Sequence, residues 1–373
     1  MSTVTVSAMT RWGILGCASI AVDHVIPAMR QAPNAQPWAL ASRDLSRARQ
    51  HGRRLGIDRT YGGYRQLLED PEVDAVYVAL PNQLHHTWAR EALRHGKSVL
   101  VEKPAALCAD DARELRAIAQ GEDLLVVEGF MFRHHGQWAL LRDWAANNLT
   151  ADDPALLRIH IGFHLDPADD PQNIRWRTDL GGGALLDLGS YAVAAATGLF
   201  GQARTARLIQ LRPGPSDVDV LSAGTLVFPG NRVAVFDCDF QHDWVNTPLE
   251  LRTRDVTVVL EHAFNPGSHP TQVRLMRQGY PPDTRHVPGQ NAYSAMVEQF
   301  SRWLPDGARS AFARTEAEQL VTSASGLDLL MSDRCWIDRD GEPIRTTPGD
   351  LPRTESSAAS STRRDTSCAQ PSS

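Results

Sequence analysis

The sequence has no basic block: 38 Lys plus Arg stand against 44 Asp plus Glu, giving a net charge of −6 and a pI near 6.1. A protein that neutralises phosphates along a duplex concentrates its cations, so nucleic acid is not expected as a partner. Cysteine is sparse, and Cys17, Cys108, Cys238, Cys335 and Cys368 show no paired short spacing. That excludes a zinc ribbon or a Cys-x-x-Cys redox pair and fits reduced thiols in a cytoplasm. No stretch approaches the roughly 20 apolar residues of a spanning helix. The opening MSTVTVSAMT also lacks the positive start and apolar run of a secretory signal. The expectation is a soluble, cytoplasmic protein with no membrane partner. Nucleophile elbow, Walker loop, zinc-protease pattern and internal repeats are all missing too.

What is there is length and an ordinary balance of residues. At 373 residues and 41.0 kDa, with 42% hydrophobic and 22% charged residues, the chain exceeds what one core usually serves and divides into two domains. From Arg11 onward short apolar runs alternate with amphipathic segments. The runs are Trp12 to Leu15, Trp38 to Ala41, Val73 to Leu80, Ser98 to Val101 and Leu124 to Val127. Between them Ser19 to Ala32, Leu45 to Leu55, His85 to His95 and Asp110 to Ala119 carry apolar residues at helical spacing. Buried strands alternating with covering helices predict an α/β domain, a doubly wound parallel sheet over residues 11–133.

Beyond Gly136 the pattern changes to that of one-sided strands: Leu157, Ile159, Ile161 and Phe163 alternate with Arg158, His160, Gly162 and His164. Ala223 to Phe228 and Val233 to Phe240, separated by Pro229, Gly230 and Asn231, read as a hairpin. An α+β domain with a large, open-faced, mainly antiparallel sheet is expected over 134–347, including a helix from Thr315 to Met331. The tail 348–373 has almost nothing to bury and is expected to be disordered.

The first apolar run ends in Gly16, Cys17, Ala18, Ser19, Ile20 and Ala21, where the free amides of a helix start attract an anion. Of the dinucleotide fingerprint Gly-x-Gly-x-x-Gly only the first glycine is kept; Ala18 and Ala21 hold the other two places. Taken alone, the loop fits an ordinary strand-to-helix turn equally well. At the end of the second run, where a site for NAD presents an acid to the ribose, the chain has Ser42 and Arg43, with Arg47 one turn on. A hydroxyl and guanidinium forks suit a 2'-phosphate, so NADP is expected rather than NAD.

Glu102, Lys103 and Pro104 follow directly on Ser98 to Val101. Together with the glycine-start loop, Pro81, Asn82 and His85, the segment EGFMFRHH from Glu128 to His135, and GGGALLDLGSY from Gly181 to Tyr191, they carry a likeness. From about residue 11 to 330 the chain resembles the glucose-fructose oxidoreductase and inositol dehydrogenase family, Gfo/Idh/MocA. The resemblance implies an N-terminal Rossmann domain, a C-terminal sheet that often mediates oligomerisation, and NAD(P)-dependent redox chemistry on sugars or related alcohols. Tyr191, where many members have histidine, is similar to the branch with dihydrodiol and xylose dehydrogenases.

The chemistry can also be argued from the residues. A lysine at the carboxyl end of a parallel strand faces the crevice where such sheets bind ligands. When hydride reaches or leaves a carbon, its oxygen gains or loses charge, and the Lys103 ammonium can stabilise that oxygen. Asp187 and Tyr191, four apart, share one face if Ala184 to Ala196 is a helix. Tyr191 is then the proton donor or acceptor, with its pKa lowered by Lys103, and Asp187 anchors a substrate hydroxyl. Three glycines before that helix would let the backbone approach a ligand closely.

The resemblance further assigns Leu80, Pro81, Asn82, His85, Glu102, Lys103, Trp176 and Arg177 to the cofactor, and Arg133 and His134 to a sugar-like substrate. No metal site is expected: His160 and His164, four apart on a strand, lie about 13 Å apart. The function expected is NADP-dependent hydride transfer at a secondary alcohol or ketone of a sugar, sugar derivative or cyclic diol. A ketoreductase of nucleotide-linked deoxysugars is the alternative enzyme, and a non-catalytic NADP and sugar sensor the alternative of another class. A homodimer or homotetramer through the second sheet is expected.

Overall fold

The computed structural model describes residues 9–212, 218–242, 247–338 and 342; the tail 348–373, with Cys368, lies outside the described residues. Six strands form the first sheet: β1 (Thr10–Leu15), β2 (Ala35–Ala41), β3 (Arg59–Tyr61), β4 (Ala75–Val78), β5 (Ser98–Val101) and β6 (Val126–Glu128). Their order is β3-β2-β1-β4-β5-β6 and every pairing is parallel. β4 (AVYV) and β5 (SVLV) are buried at every residue, as strands covered on both faces must be. β4 is shorter than the apolar run that encodes it, because Ala79 and Leu80 leave the ladder to form a loop at its end. The half-buried edge strand β3 has no apolar run to announce it.

The covering helices carry the expected end signals. Asp44 accepts from the amides of Ser46 and Arg47 at the start of the helix Leu45–Leu55, and Gly56, at φ +57°, ends it.

The second sheet has nine strands: β7 (Ala155–Gly162), β8 (Thr205–Leu211), β9 (Leu221–Phe228), β10 (Arg232–Asp239), β11 (Leu249–Arg252), β12 (Thr257–Leu260), β13 (Thr271–Met276), β14 (Asp283–Val287) and β15 (Arg334–Ile337). All pairings are antiparallel except β7 with β10 and β8 with β15. The expected hairpin is β9–β10. Its turn holds Gly230 at φ +75°, where a Cβ would lie 1.9 Å from the carbonyl oxygen of Ala151, and Asn231 at φ +56°. One face buries Leu157, Ile159, Phe236 and Cys238 with the helix Ser190–Phe200; the other leaves Ile209 and Val235 exposed.

The linear division at residue 133 is not the division in space. The late helices Ala292–Trp303 and Ala311–Ser332 return to the first sheet. Met296, Val297 and Phe300 join the core around Trp12 and Ile14, and Leu320 and Ala324 join that around Val99 and Val101. The Trp12 indole donates to Ser301 Oγ at 3.2 Å. The two sheets are thereby held against each other by helices from the far end of the chain. One helical stretch, Thr178–Phe200, has the length and hydropathy of a membrane span, but 72% of its apolar window is buried inside this core.

Candidate active site

Strand order reverses between β1 and β4, which opens a crevice at the carboxyl ends of the strands. Gly16 leaves β1 at φ +103°, and a Cβ there would lie 2.2 Å from the carbonyl oxygen of Ala79. Only glycine lets the loop press against the end of β4. Cys17 is buried, while Ala18, Ser19 and Ile20 open the following helix, whose first turn, Ile20–Val25, is π-helical. Ala21, in a glycine place of the fingerprint, is fully buried, so its methyl group fits the helix–sheet contact.

At the end of β2 the buried Ser42 accepts from the amide of Asp44 at 3.3 Å, and Arg43 and Arg47 are exposed. Arg47 Nη2 donates to the carbonyl of Cys17 at 3.2 Å, which ties it to the phosphate loop. The carboxylate of Asp44, between Arg43 and Arg47 in the chain, is held in the helix cap.

Lys103 stands at the end of β5, after a buried Glu102 whose Oε1 accepts from the Tyr77 hydroxyl at 2.5 Å. Burial raises the Glu102 carboxyl above its ordinary range, against the hydrogen bond from Tyr77 and the charge of Lys103. The Lys103–Pro104 peptide is cis. Lys103 Nζ donates to Asp187 Oδ1 at 2.7 Å and to the Asp187 carbonyl at 2.6 Å. Arg175 Nε donates to Asp187 Oδ2 at 2.5 Å. Burial would raise the Asp187 carboxyl; the two cations outweigh it and hold it well below the carboxylate range. Both carboxylate oxygens are engaged, Oδ1 by Lys103 and Oδ2 by Arg175, so Asp187 positions both cations.

Tyr191 lies next to this cluster, with Lys103 Nζ 4.9 Å from the centre of its ring. The ring is walled by Phe130, Phe132 and Phe264 at centroid distances of 5.2, 6.0 and 5.7 Å, and the hydroxyl contacts Met131 Sδ at 3.7 Å. The expected lowering of the phenol pKa by Lys103 does not occur. Burial, with Tyr293, Glu102 and Asp187 nearby, raises it well above its ordinary value against the charge of Arg175. The phenol is held as O–H.

The helix expected from Ala184 begins instead as a π turn, Leu185–Gly189, before the α-helix Ser190–Phe200. Such turns recur at functional sites because they re-aim neighbouring side chains. The three glycines before it serve the protein's own chain. A Cβ on Gly181 would lie 2.8 Å from Asn82 Cβ, and one on Gly183 2.2 Å from Asp219 Oδ1. Asn82, beside Pro81 at the helix start after β4, donates from Nδ2 to the Gly181 carbonyl at 2.7 Å.

Five residues expected at the cofactor or substrate have side-chain contacts within the protein. His85 is 1% exposed, with Nδ1 2.8 Å from the Pro104 carbonyl and Nε2 2.6 Å from that of Leu80. Burial pushes its pKa down to about 4, so the ring is neutral and donates to one of these two carbonyls. Arg133, expected to face the substrate, is buried, with Nη2 3.0 Å from Ser323 Oγ; His134 Nδ1 pairs with Gln299 Oε1 at 2.5 Å. Both line a separate cavity that includes none of Lys103, Asp187 and Tyr191. Arg177 pairs with Asp179 at 2.6 Å, and Trp176 lies against Phe240 at 5.6 Å. The cation of the segment NIRWR that reaches the Lys103–Asp187 pair is Arg175, which sequence reasoning passed over.

The model of an oxidoreductase family with an NAD-binding Rossmann fold, GFO_IDH_MocA, matches residues 10–130, and the GFO/IDH/MocA C-terminal domain matches 152–255. The chain belongs to the Gfo/Idh/MocA family. This Gfo/Idh/MocA oxidoreductase is 32% identical over 331 residues to a dTDP-3,4-didehydro-2,6-dideoxy-alpha-D-glucose 3-reductase of Saccharopolyspora spinosa, covering 87% of this chain and 98% of the relative. It is 30% identical over 327 residues to D-xylose 1-dehydrogenase (NADP(+)) 2 of Haloferax volcanii, covering 85% and 95%. The crystal structure of KijD10, a 3-ketoreductase from Actinomadura kijaniata in complex with NADP and TDP-benzene, superimposes with a TM-score of 0.80 at 29% identity, covering 88% of this chain and 99% of that one.

Proposed function

We propose that the protein is an NADP-dependent oxidoreductase that moves a hydride between the nicotinamide and a secondary alcohol or ketone of a sugar, sugar derivative or cyclic diol. The observation that carries this reading is the Lys103–Asp187 ion pair at the end of β5, 4.9 Å from the ring of a protonated Tyr191. The loop Gly16 to Ile20 would hold the pyrophosphate, Ser42, Arg43 and Arg47 the 2'-phosphate, and Leu80, Pro81, Asn82 and Glu102 would shape the nicotinamide end. The cradle fits an anion, since the helix after Gly16 opens at the loop and Arg43 and Arg47 are exposed cations after β2, Arg47 tied to the Cys17 carbonyl. When bound, the dinucleotide supplies or accepts the hydride.

The chain's own part is to manage the proton and the charge at the substrate oxygen. Tyr191, kept as O–H by burial, donates its proton to a carbonyl oxygen as that oxygen gains charge, which leaves a phenolate beside the Lys103 ammonium; alcohol oxidation is the same step run backwards, the phenolate taking the proton from the alcohol. The Lys103 ammonium, held by Asp187, provides the positive field at the same oxygen. Arg175 steadies Asp187 from the other side, and the aromatic wall of Phe130, Phe132 and Phe264 excludes water from the phenol. Retention of this set argues against a sensor, which needs no proton-transfer pair.

The likeness to dTDP-sugar 3-reductases over nearly their whole length supports a second reading, reduction of a nucleotide-linked deoxysugar ketone. A panel of aldoses, keto sugars, cyclic diols and nucleotide-linked keto sugars, followed by the absorbance of reduced nicotinamide with NADP and NAD in parallel, tests both. Turnover with a free sugar or diol and NADP supports the first reading. Turnover confined to nucleotide-linked ketones supports the second, and coenzyme binding without turnover on any of them leaves the sensor. The protein is cytoplasmic in this reading. It assembles as a homodimer or homotetramer through the outer face of the second sheet, where Ile209 is 47% and Val235 41% exposed. A monomeric mass by light scattering would refute that assembly.

A further inference from the structure

Behind the turn that carries Met131 lies a second cavity of about 420 Å³, between the helices that begin at Gly136 and Ala311 and the helix Ala292–Trp303. That volume is within the range of small-molecule sites. It belongs to neither the phosphate loop nor the Lys103 cluster. Its wall contains buried polar atoms without a hydrogen-bond partner: Nε and Nη1 of Arg133, Nε2 of His134 and of His135, Oε2 of Glu316 and Oε1 of Gln319. Arg133, His135 and Glu316 are 8%, 0% and 7% exposed. Glu316 and Glu128 offset the Arg133 charge, yet among the described residues its guanidinium donates only to Ser323 Oγ and, at 3.5 Å, to the Ala194 carbonyl, and two buried N–H groups without an acceptor are costly.

The lining specifies what would fit. Arg133 at the floor and the exposed Arg142 at the mouth outweigh Glu316; Glu128, the other acid acting on Arg133, keeps its proton up to about pH 7, and burial favours the neutral form of both histidines, so below that pH the cavity is complementary to a single negative charge. A carboxylate matches a guanidinium in shape. The remaining acceptors, Glu316 Oε2 and Gln319 Oε1, call for hydroxyl donors, and Trp303 and Phe312 offer apolar faces to a carbon frame.

We propose that this cavity is a second binding site, distinct from the coenzyme crevice, for a small hydroxycarboxylate of the sugar-acid class. The carboxylate lies on Arg133 and Arg142, and the hydroxyls lie on Glu316 and Gln319. The turn Met131–His134 forms part of its wall and at its other end touches the Tyr191 hydroxyl through Met131, so an occupant bears on the geometry of the phenol.

Isothermal titration and thermal unfolding of the full-length protein, with and without NADP, test this with D-gluconate and glycerate against sorbitol and glycerol as uncharged counterparts. Saturable binding of the carboxylates, unaffected by NADP and weakened about tenfold or more in Arg142→Ala, is expected. Arg133→Met should abolish it; if that variant does not fold, Arg142→Ala, at an exposed position, carries the test alone. Equal binding of the polyols, competition with NADP, an unchanged affinity in Arg142→Ala, or no binding at all would overturn the proposal.

Discussion

Lys103 Nζ lies 2.7 Å from Asp187 Oδ1 and 4.9 Å from the centre of the Tyr191 ring, so the amine is anchored to the carboxylate and stands over the face of the phenol. The anchor fixes where the positive charge is available, and it depends on a second cation, Arg175, that neutralises the other carboxylate oxygen. Asp187→Asn keeps the shape but removes the charge that holds both. Turnover should fall by roughly ten- to a hundredfold, the worth of a charge-assisted hydrogen bond, while NADP affinity changes by no more than about twofold. Steady-state kinetics with coenzyme titration by fluorescence measure both.

Coenzyme choice rests on Arg43 and Arg47. Replacing both by Ala should raise the KM for NADP by about tenfold or more and leave that for NAD nearly unchanged, because only the 2'-phosphate loses its partners. A parallel rise for both coenzymes would place the arginines elsewhere in the binding mode.

Gly16→Ala introduces a Cβ 2.2 Å from the Ala79 carbonyl oxygen, at a φ of +103° that L residues avoid. The loop must shift, with a loss of stability of about 1 to 3 kcal/mol and a larger proportional loss of NADP affinity. Thermal unfolding with and without NADP should show that the ligand-dependent rise in Tm shrinks more than Tm itself.

Much of this architecture was legible in the sequence. The strands around Val76 and Val99 are continuous apolar runs, and Lys103 and Gly16 follow such runs directly, so their place in the crevice needs only the rule for parallel sheets. The alternation through Leu157, Ile159 and Ile161 likewise gives β7 its buried face. What was not legible depends on contacts distant in the chain. Arg133 is buried because the helix Ala311–Ser332 brings Ser323 and Glu316 to it, and nothing near residue 133 signals this. In NIRWR, the short turn Ile174–Trp176 sends Arg175 to Asp187 while Arg177 pairs locally with Asp179, a choice that no periodicity encodes. The burial of His85 between the Leu80 and Pro104 carbonyls was likewise not legible, because those carbonyls come from separate loops.

The buried Glu128 gives stability a pH dependence. Burial, partly offset by Arg133 and by the amide of Ala105, pushes its pKa up to about 7 from an ordinary 4.5. The folded state therefore keeps this proton between pH 4.5 and 7 while the unfolded chain releases it. Its contribution is fully present below the lower value and is lost as pH rises to the upper one, by on the order of 3 kcal/mol. Glu128→Gln, which keeps an acceptor for the Ala105 amide, should flatten that decline in denaturant unfolding measured across the interval. An equally steep decline in the variant would assign it to other groups.

The proton-transfer assignment is tested most directly by kcat of Tyr191→Phe alongside Lys103→Met, with NADP affinity measured on the same preparations. A fall of about a hundredfold or more in each variant, with coenzyme affinity within about twofold of the parent, is the predicted result. A phenylalanine variant that turns over at the parental rate would contradict it.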